Sequence, residues 1–482
     1  MAWLLILIRI DRIKMSEWLS VDKKRLLADL IKNYRLKHRK SEEVFKRTTK
    51  HLIIGGSHSL RLFSPFPFYD VQCSGSRIWD ADGNIYVDFW QGHFANVLGH
   101  NPQVIIKSLQ DYFHKNQGLT TGFPGSYQRE LAELILMQLG TDKIRFTTSG
   151  TLATMYAIML AKAFTKRELV MKVGGGWHGA HPYALRGISI YDHGMNRLES
   201  AGLPSGTDEM IIVTGFNDIQ DLENKFKEHG ERTACFILEP FIGAGGFIFS
   251  HKNYLQRARE LTRQYNTLLI FDEVVSGFRF HAGGIQSLYG IQPDMTVLGK
   301  AIGGGMPVSA VAGRDDVLAL CGPDAAPDEK VKFEGGTFSA HPAAMLAGLT
   351  HLKYLIEHES EIYPRIGQLG AKVRKGIEEI FATHGFNVKC TGYGDSITEH
   401  SSLVGVQFLK EEIDQISFPE QVWNPEVCDF ELREKIFKLS MLEEGFNIFH
   451  GYGAISAAHT SNEIQASLDA VERIAKKWRK YI

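Results

Sequence analysis

A chain of 482 residues is long enough to bury a large core and is expected to form one big domain with a smaller one beside it. Its 54 lysines and arginines nearly cancel its 55 aspartates and glutamates, so no basic field invites nucleic acid. The five cysteines (Cys73, Cys235, Cys321, Cys390 and Cys428) are scattered and in no CxxC spacing, which argues for a reducing cytoplasm and against structural zinc.

The chain opens on the apolar run Trp3 to Ile8, followed by Arg9, Asp11, Arg12 and Lys14. That run is too short to span a bilayer and lacks a basic leader and a small-residue cleavage site, so no membrane partner is expected. Met15-Ser16-Glu17 reads as a more natural start, with residues 1 to 14 as an upstream extension and a peripheral membrane anchor as the rival reading. Helical periodicity covers Val21 to Lys37, and Ser41 to Thr49 reads as a second helix. Gly55 to Arg61 (GGSHSLR) is a loop, and Ile78 to Asp88 is a β-hairpin turned by Asp82-Gly83-Asn84.

From Tyr127 to Gly313 short apolar runs alternate with helical stretches. Ile144 to Thr147, Leu169 to Val173, Met210 to Val213, Cys235 to Leu238, Leu268 to Phe271, Met295 to Leu298 and Ser309 to Ala312 read as strands. Such alternation implies an α/β domain with a mostly parallel seven-stranded sheet between helices. After Pro342 come helices over Ala343 to His358 and Tyr363 to His384, then a strand over Leu403 to Phe408. A helix over Glu431 to Glu444, a strand within Phe446 to Ala458 and a last helix opened by the capping box Thr460 to Glu463 follow. This second part reads as a smaller α+β domain. The expected division is an extension and helix over 1–40, a segment over 41–120 serving the smaller domain and an active-site loop, the large domain over 121–341 and the small domain over 342–482. The most loop-like stretch of the second half is Cys321 to Lys330.

Ligands bind beyond the carboxyl ends of parallel strands, and several of the predicted strands end in chemistry. Lys300 closes the run from Met295 and is followed by Gly303, Gly304 and Gly305, a backbone that a ligand can approach closely. A lysine there suits covalent attachment to a carbonyl, which requires a lowered pKa in a dry site; the bland reading is an exposed loop lysine. Ser149-Gly150-Thr151 opens a helix, where exposed amides and the helix dipole bind phosphate, or where a serine simply caps. Asp272 ends the most apolar strand, and a carboxylate there needs a cation such as a protonated pyridine nitrogen. Trp177 lies among glycines, free to cover a flat ring or to join the core. With Glu273, His178 and His181, Asp272 offers a rival metal-hydrolase reading, weakened because Gly179-Ala180 breaks a helical HxxxH face and Lys300 is left without a role. Phosphate donors, an aromatic, a pyridinium-pairing aspartate and a reactive lysine together describe a site for pyridoxal 5'-phosphate.

Residues Ser41 to Lys477 resemble the class III aminotransferases of PLP fold type I, and among them the glutamate-1-semialdehyde 2,1-aminomutases. The carriers are Leu269 to Arg279 (LIFDEVVSGFR), Tyr289 to Pro307 (YGIQPDMTVLGKAIGGGMP), Gly335 to Phe338 (GGTF), Ser149 to Met155 (SGTLATM) and Ser456 to Thr460 (SAAHT). The resemblance implies Lys300 as the lysine that holds the cofactor and shuttles a proton, Asp272 on the pyridine nitrogen and Val274 beneath the ring. It implies Ser149, Gly150 and Thr151 on the phosphate, Trp177 and His178 in the place of the family's aromatic-His-Gly motif, and Glu239 near the substrate. Thr337 would reach the phosphate of a neighbouring subunit's cofactor, which implies a homodimer with shared active sites. Ser59 and Arg61 would meet the substrate. Two departures bear on the reaction: Thr148 and Leu152 replace the Asn and Glu usual in the aminomutases, and Arg61 comes one residue early in its loop. An arginine there still suits bidentate binding of a carboxylate. The expected function is amino transfer between an amino acid or amine and a carbonyl acceptor, with an intramolecular aminomutase or a catalytically silent cofactor-binding protein as alternatives.

Overall fold

The computed structural model describes residues 18–188, 197–395, 397–449, 451 and 453–482. Trp3 to Ile8 and the start expected at Met15 lie outside the described residues. The seven predicted strands form one sheet: β1 Lys143–Thr147, β2 Leu169–Val173, β3 Ile211–Thr214, β4 Thr233–Leu238, β5 Leu268–Glu273, β6 Met295–Leu298 and β7 Ser309–Gly313, in the order β1-β7-β6-β5-β4-β2-β3. Only β7 runs antiparallel to its neighbours.

Every residue of β2, β4, β5, β6 and β7 is buried, because helices cover both faces and leave no side of the strand for water. On one face Ile237, Ile270 and Val297 pack against Ala153, Ala157 and Ile158 of helix α1, Gly150–Thr165. On the other, Phe236, Leu238, Leu269 and Phe271 pack against Tyr254 and Leu255 of helix α2, Lys252–Gln264. Burying a side chain of this size contributes about 1.5–3 kcal/mol, so the strand register is fixed by its two apolar faces.

The predicted hairpin forms as Arg77–Asp80 paired with Ile85–Asp88. Its second strand also pairs, in parallel, with Phe446–Asn447 from far down the chain, which ties the N-terminal segment to the C-terminal one. A separate three-stranded sheet of Val388–Thr391, Leu403–Phe408 and Gly453–Ala454 is covered by the helices Glu359–Thr383 and Ser461–Trp478. Thr460 and Glu463 cap the last helix reciprocally, as predicted.

Three predicted elements differ. The helix expected from Tyr363 begins at Glu359 and carries Pro364 in its second turn, where the missing N–H forfeits a single bond. The helix expected over Glu431 to Glu444 starts as a π-helical stretch, Leu432–Phe437, before Lys438–Glu443 continues as α. The strand expected within Phe446 to Ala458 is two short strands in different sheets, Phe446–Asn447 and Gly453–Ala454. Gly453, at φ 144, lies where a Cβ would meet the Phe89 carbonyl oxygen at 2.1 Å, so the chain redirects there around a close backbone crossing.

Candidate active site

The carboxyl ends of the parallel strands and the loops around them enclose a cavity of about 660 Å³ whose wall includes Ser149, Gly150, Thr151, Trp177, His178, Glu239, Asp272, Val274 and Lys300. Ser149 caps α1 and its Oγ accepts the Leu152 N–H at 3.3 Å. The first amides of a helix have no intrahelical partner, so this terminus presents donors and the positive end of its dipole to the cavity. Gly179, at φ +90, approaches so closely that a Cβ would lie 2.6 Å from the Thr151 Cα. That contact packs the Trp177-His178 turn against the start of α1.

Asp272 shares a face of the sheet with Ile270, the face that α1 covers. Its Oδ1 accepts the Val274 N–H at 3.1 Å and its Oδ2 accepts His178 Nδ1–H at 2.8 Å. With its proton on Nδ1, His178 is the neutral tautomer, and burial pushes its pKa down against the pull of Asp272. His178 thus reaches the site through Asp272, holding the carboxylate in place. Glu239 accepts the Trp177 and Gly243 N–H groups, each at 2.9 Å, and burial, with the charge of Asp272, pushes it up to about 8.

Lys300 follows the last residues of β6 in a left-handed conformation, φ 45, and begins the tight turn Lys300–Gly303. A strained backbone of this kind persists only where its surroundings hold it. Burial lowers the pKa of its amine, with the Arg279 charge adding to the shift and Asp272 and Glu239 opposing it. Val274 sits under the cavity floor, close enough that a Cβ on Gly150 would meet its side chain at 3.1 Å.

Glu273, the metal partner weighed for Asp272, points to the opposite face, as alternation along a strand requires. There it accepts the N–H groups of Ile285 at 2.7 Å and Gln286 at 3.2 Å and the Ser276 hydroxyl at 3.2 Å. His178 is engaged with Asp272, and His181 Nε2 lies 3.1 Å from Thr154 Oγ1. The metal-hydrolase reading is therefore corrected: the four residues do not converge, and among the described residues no group of three or more His, Cys, Asp or Glu side chains is placed to hold a metal.

The outer wall holds residues that the sequence did not single out. Trp90, His93 and Phe94 enter from one loop, with Phe247 and Phe449 beside them. Gln91, Gly92, His93 and Phe94 all have positive φ, 47, 61, 60 and 68. Buried Asp88 anchors this left-handed turn: Oδ1 accepts the Trp90 N–H at 3.0 Å and Oδ2 the Gln91 N–H at 3.0 Å. Its remaining lone pairs meet Asn447 Nδ2 at 2.7 Å and His100 Nε2 at 2.8 Å. An aspartate two residues before a Trp-Gln-Gly sequence is an Asx-turn signal, the one local cue to this turn. Arg61 also lines the wall, and its Nε donates to His93 Nε2 at 3.3 Å. Ser59 and Thr337 are both exposed and stand outside the lining of this chain's cavity.

A seven-stranded α/β sheet with a phosphate-ready helix start, a buried aspartate and a lysine at the neighbouring strand end defines an aminotransferase scaffold, and the chain belongs to the class III aminotransferase family, whose pattern matches residues 64–397. Among proteins of assigned function it is 33% identical over 441 residues to the glutamate-1-semialdehyde 2,1-aminomutase of Aquifex aeolicus, covering 90% of this chain and 98% of that one. Among solved structures it resembles an omega-transaminase from Sphaerobacter thermophilus at a TM-score of 0.82 and 29% identity, covering 91% of this chain and 98% of that one. It also resembles a beta-phenylalanine aminotransferase from Variovorax paradoxus at a TM-score of 0.81 and 27% identity, over 94% and 98% of the two chains.

Proposed function

We propose that this protein binds pyridoxal 5'-phosphate in the 660 Å³ cavity and transfers an amino group between a carboxylate-bearing amino acid or amine and a separate carbonyl acceptor. The observation that carries the reading is the convergence, in one cavity, of the α1 terminus, Asp272 and Lys300. The donor set fits the group: free helix amides and Ser149 and Thr151 hydroxyls for a phosphate, a buried anion for a pyridine nitrogen, and a low-pKa amine for a carbonyl. When bound, the cofactor supplies a carbonyl carbon that condenses with amines and a ring that withdraws electrons from the substrate carbon.

The protein's part follows from its residues. Asp272, held by His178 and the Val274 amide, would pair with the ring nitrogen and favour its protonated form. Val274 and Trp177, both in the cavity wall, would hold the ring between them. Lys300 Nζ, its pKa lowered by burial, would hold the cofactor's carbonyl carbon and move a proton at the substrate carbon. Arg61 holds the substrate carboxylate, and the Trp90, Phe94, Phe247 and Phe449 rings exclude water and accept an apolar side chain.

We also assign the working unit as a homodimer. Thr337 is exposed outside its own cavity, and the adjacent Phe338 is 60% exposed, with Phe123 at 80% and Leu119 at 65%; a second copy covers such apolar side chains and brings Thr337 to the neighbouring site. Its five cysteines are unpaired, in keeping with a cytoplasmic setting, and among the described residues no helix is long and apolar enough to cross a membrane.

The second reading, an intramolecular aminomutase, is favoured by the 33% identity to the Aquifex aeolicus enzyme. Purified protein loaded with the cofactor separates the two. Turnover of an amino donor that stops when the carbonyl acceptor is omitted supports transamination. Turnover of glutamate-1-semialdehyde with no acceptor establishes the aminomutase, and no spectral response to any amine in a broad panel overturns both.

A further inference from the structure

One buried amine in the sheet is used by none of the chemistry above. Lys172 lies in the middle of β2, whose five residues are all buried, and its own exposure is 0%. An interior ammonium is costly unless its surroundings compensate it. Here Nζ donates to two backbone carbonyls, Gly176 at 2.9 Å and Arg186 at 2.8 Å, and among the described residues to no carboxylate.

The sheet register says what the charge faces. Lys172 pairs with Ile237 on β4, and Ile237 pairs with Ile270 on β5. Side chains two residues further along a strand lie on the same face, which makes Glu239 and Asp272 the next row above Lys172. From strand rise and spacing, the Lys172 Cα lies about 7 Å before that row and about 12 Å from the Asp272 Cα, and the side chain extends toward the row to reach Gly176. Its acceptor Gly176 immediately precedes Trp177 and His178, whose donors are bound to Glu239 and Asp272 respectively. Burial lowers Lys172 to about 7 against the pull of Glu239 and Glu199, and Glu239 is itself pushed up to about 8, so the pair exchanges charge near neutrality; among the described residues His178 and His181 complete the titratable surroundings, both lowered by burial.

We propose that Lys172 is a positioning residue for amino transfer: it pins the Gly176-Trp177-His178 turn by two carbonyl bonds, and in its protonated form its charge offsets Glu239 and Asp272 on the same face of the sheet. The inference rests on the reading that Asp272 faces the cofactor ring. The role has two separable parts, a mechanical one through Gly176 and Arg186 and an electrostatic one through space. A unit charge about 12 Å away, at an effective dielectric near 20, moves a titration by about one pH unit.

The test uses the cofactor-loaded protein with Lys172→Met, Lys172→Gln and Lys172→Arg, reading the pH midpoint of the cofactor's visible absorption band alongside kcat, KM and thermal midpoint. The expected result is that Met and Gln raise the absorption midpoint by about one unit and lower kcat about tenfold or more with KM little changed, while Arg keeps the wild-type midpoint. Met and Gln variants that fold, with midpoint and kcat unchanged from wild type, overturn the proposal. So does failure of both to fold while Arg folds with a displaced midpoint, which reduces Lys172 to a structural latch. If wild type binds cofactor with no lysine-dependent visible band, the active-site reading itself fails, and that outcome is seen before any Lys172 variant is measured.

Discussion

Replacing Asp272 by asparagine isolates the charge at the centre of the site. The carboxylate is 3% exposed and is held from two sides, by His178 Nδ1–H at 2.8 Å and the Val274 N–H at 3.1 Å. Asparagine keeps the size and one oxygen that still accepts His178 Nδ1–H, so the fold and the tryptophan turn are expected to survive. The lost interaction is that of an anion with a cationic ring nitrogen at hydrogen-bond distance, about 5 kcal/mol by Coulomb's law at an effective dielectric of 20. Carboxylate desolvation offsets part of that gain. Preorganised groups of this kind contribute about 4 kcal/mol to the barrier, or roughly a thousandfold in rate. The assay is the single-turnover reaction of cofactor-loaded protein with an amino donor, followed by loss of the visible band, so that no acceptor step intervenes. A thermal midpoint within a few degrees of wild type together with a rate lowered by about a thousandfold supports the role. A folded, cofactor-bound Asp272→Asn variant within tenfold of wild type refutes it.

Lys300→Ala is expected to abolish turnover and the lysine-dependent visible band while the protein still binds cofactor; an active, still yellow variant sinks the assignment. Arg61→Ala should raise KM for carboxylate-bearing donors by about ten- to a hundredfold, the value of one charge-assisted hydrogen bond of about 1.5–3 kcal/mol, and leave simple amines untouched; equal losses for both would remove Arg61 from substrate recognition. Glu273, buried and pushed up to about 7 by desolvation, holds its proton in the folded state at pH values where the unfolded chain has released it. Unfolding then releases a proton between about pH 4.5 and 7, and stability falls as pH rises through that window by up to about 3 kcal/mol. Denaturation of wild type and Glu273→Gln from pH 5 to 8 should show that fall in wild type alone, and parallel curves would count against it.

The seven strands were readable because each is a short, nearly continuous apolar run, the pattern that two covered faces impose. Lys300, Asp272 and Ser149 were readable for a related reason: each interrupts such a run or opens the helix after it, at the strand end where ligands bind. Element ends were less so. Pro364 conceals the true start of its helix, and the run after Phe446 looks like one strand until Gly453 meets the Phe89 backbone.

The sequence by itself determined the scaffold, the family and most of the groups that line the inner cavity, since all of these follow from local periodicity, family motifs and residues close to strand ends. The tertiary structure alone decided which neighbours act together. Alternation sent Glu273 to the far face and dissolved the metal pair. Register set Lys172 beneath Glu239 and Asp272, although 67 and 100 residues separate them in the chain. The outer wall of the cavity joins a left-handed turn at Asp88, the loop at Phe247 and a late segment at Phe449, three stretches with no local signature of contact. Chemistry written at strand ends is legible one segment at a time, whereas a surface built across distant segments exists only once the chain has closed around it.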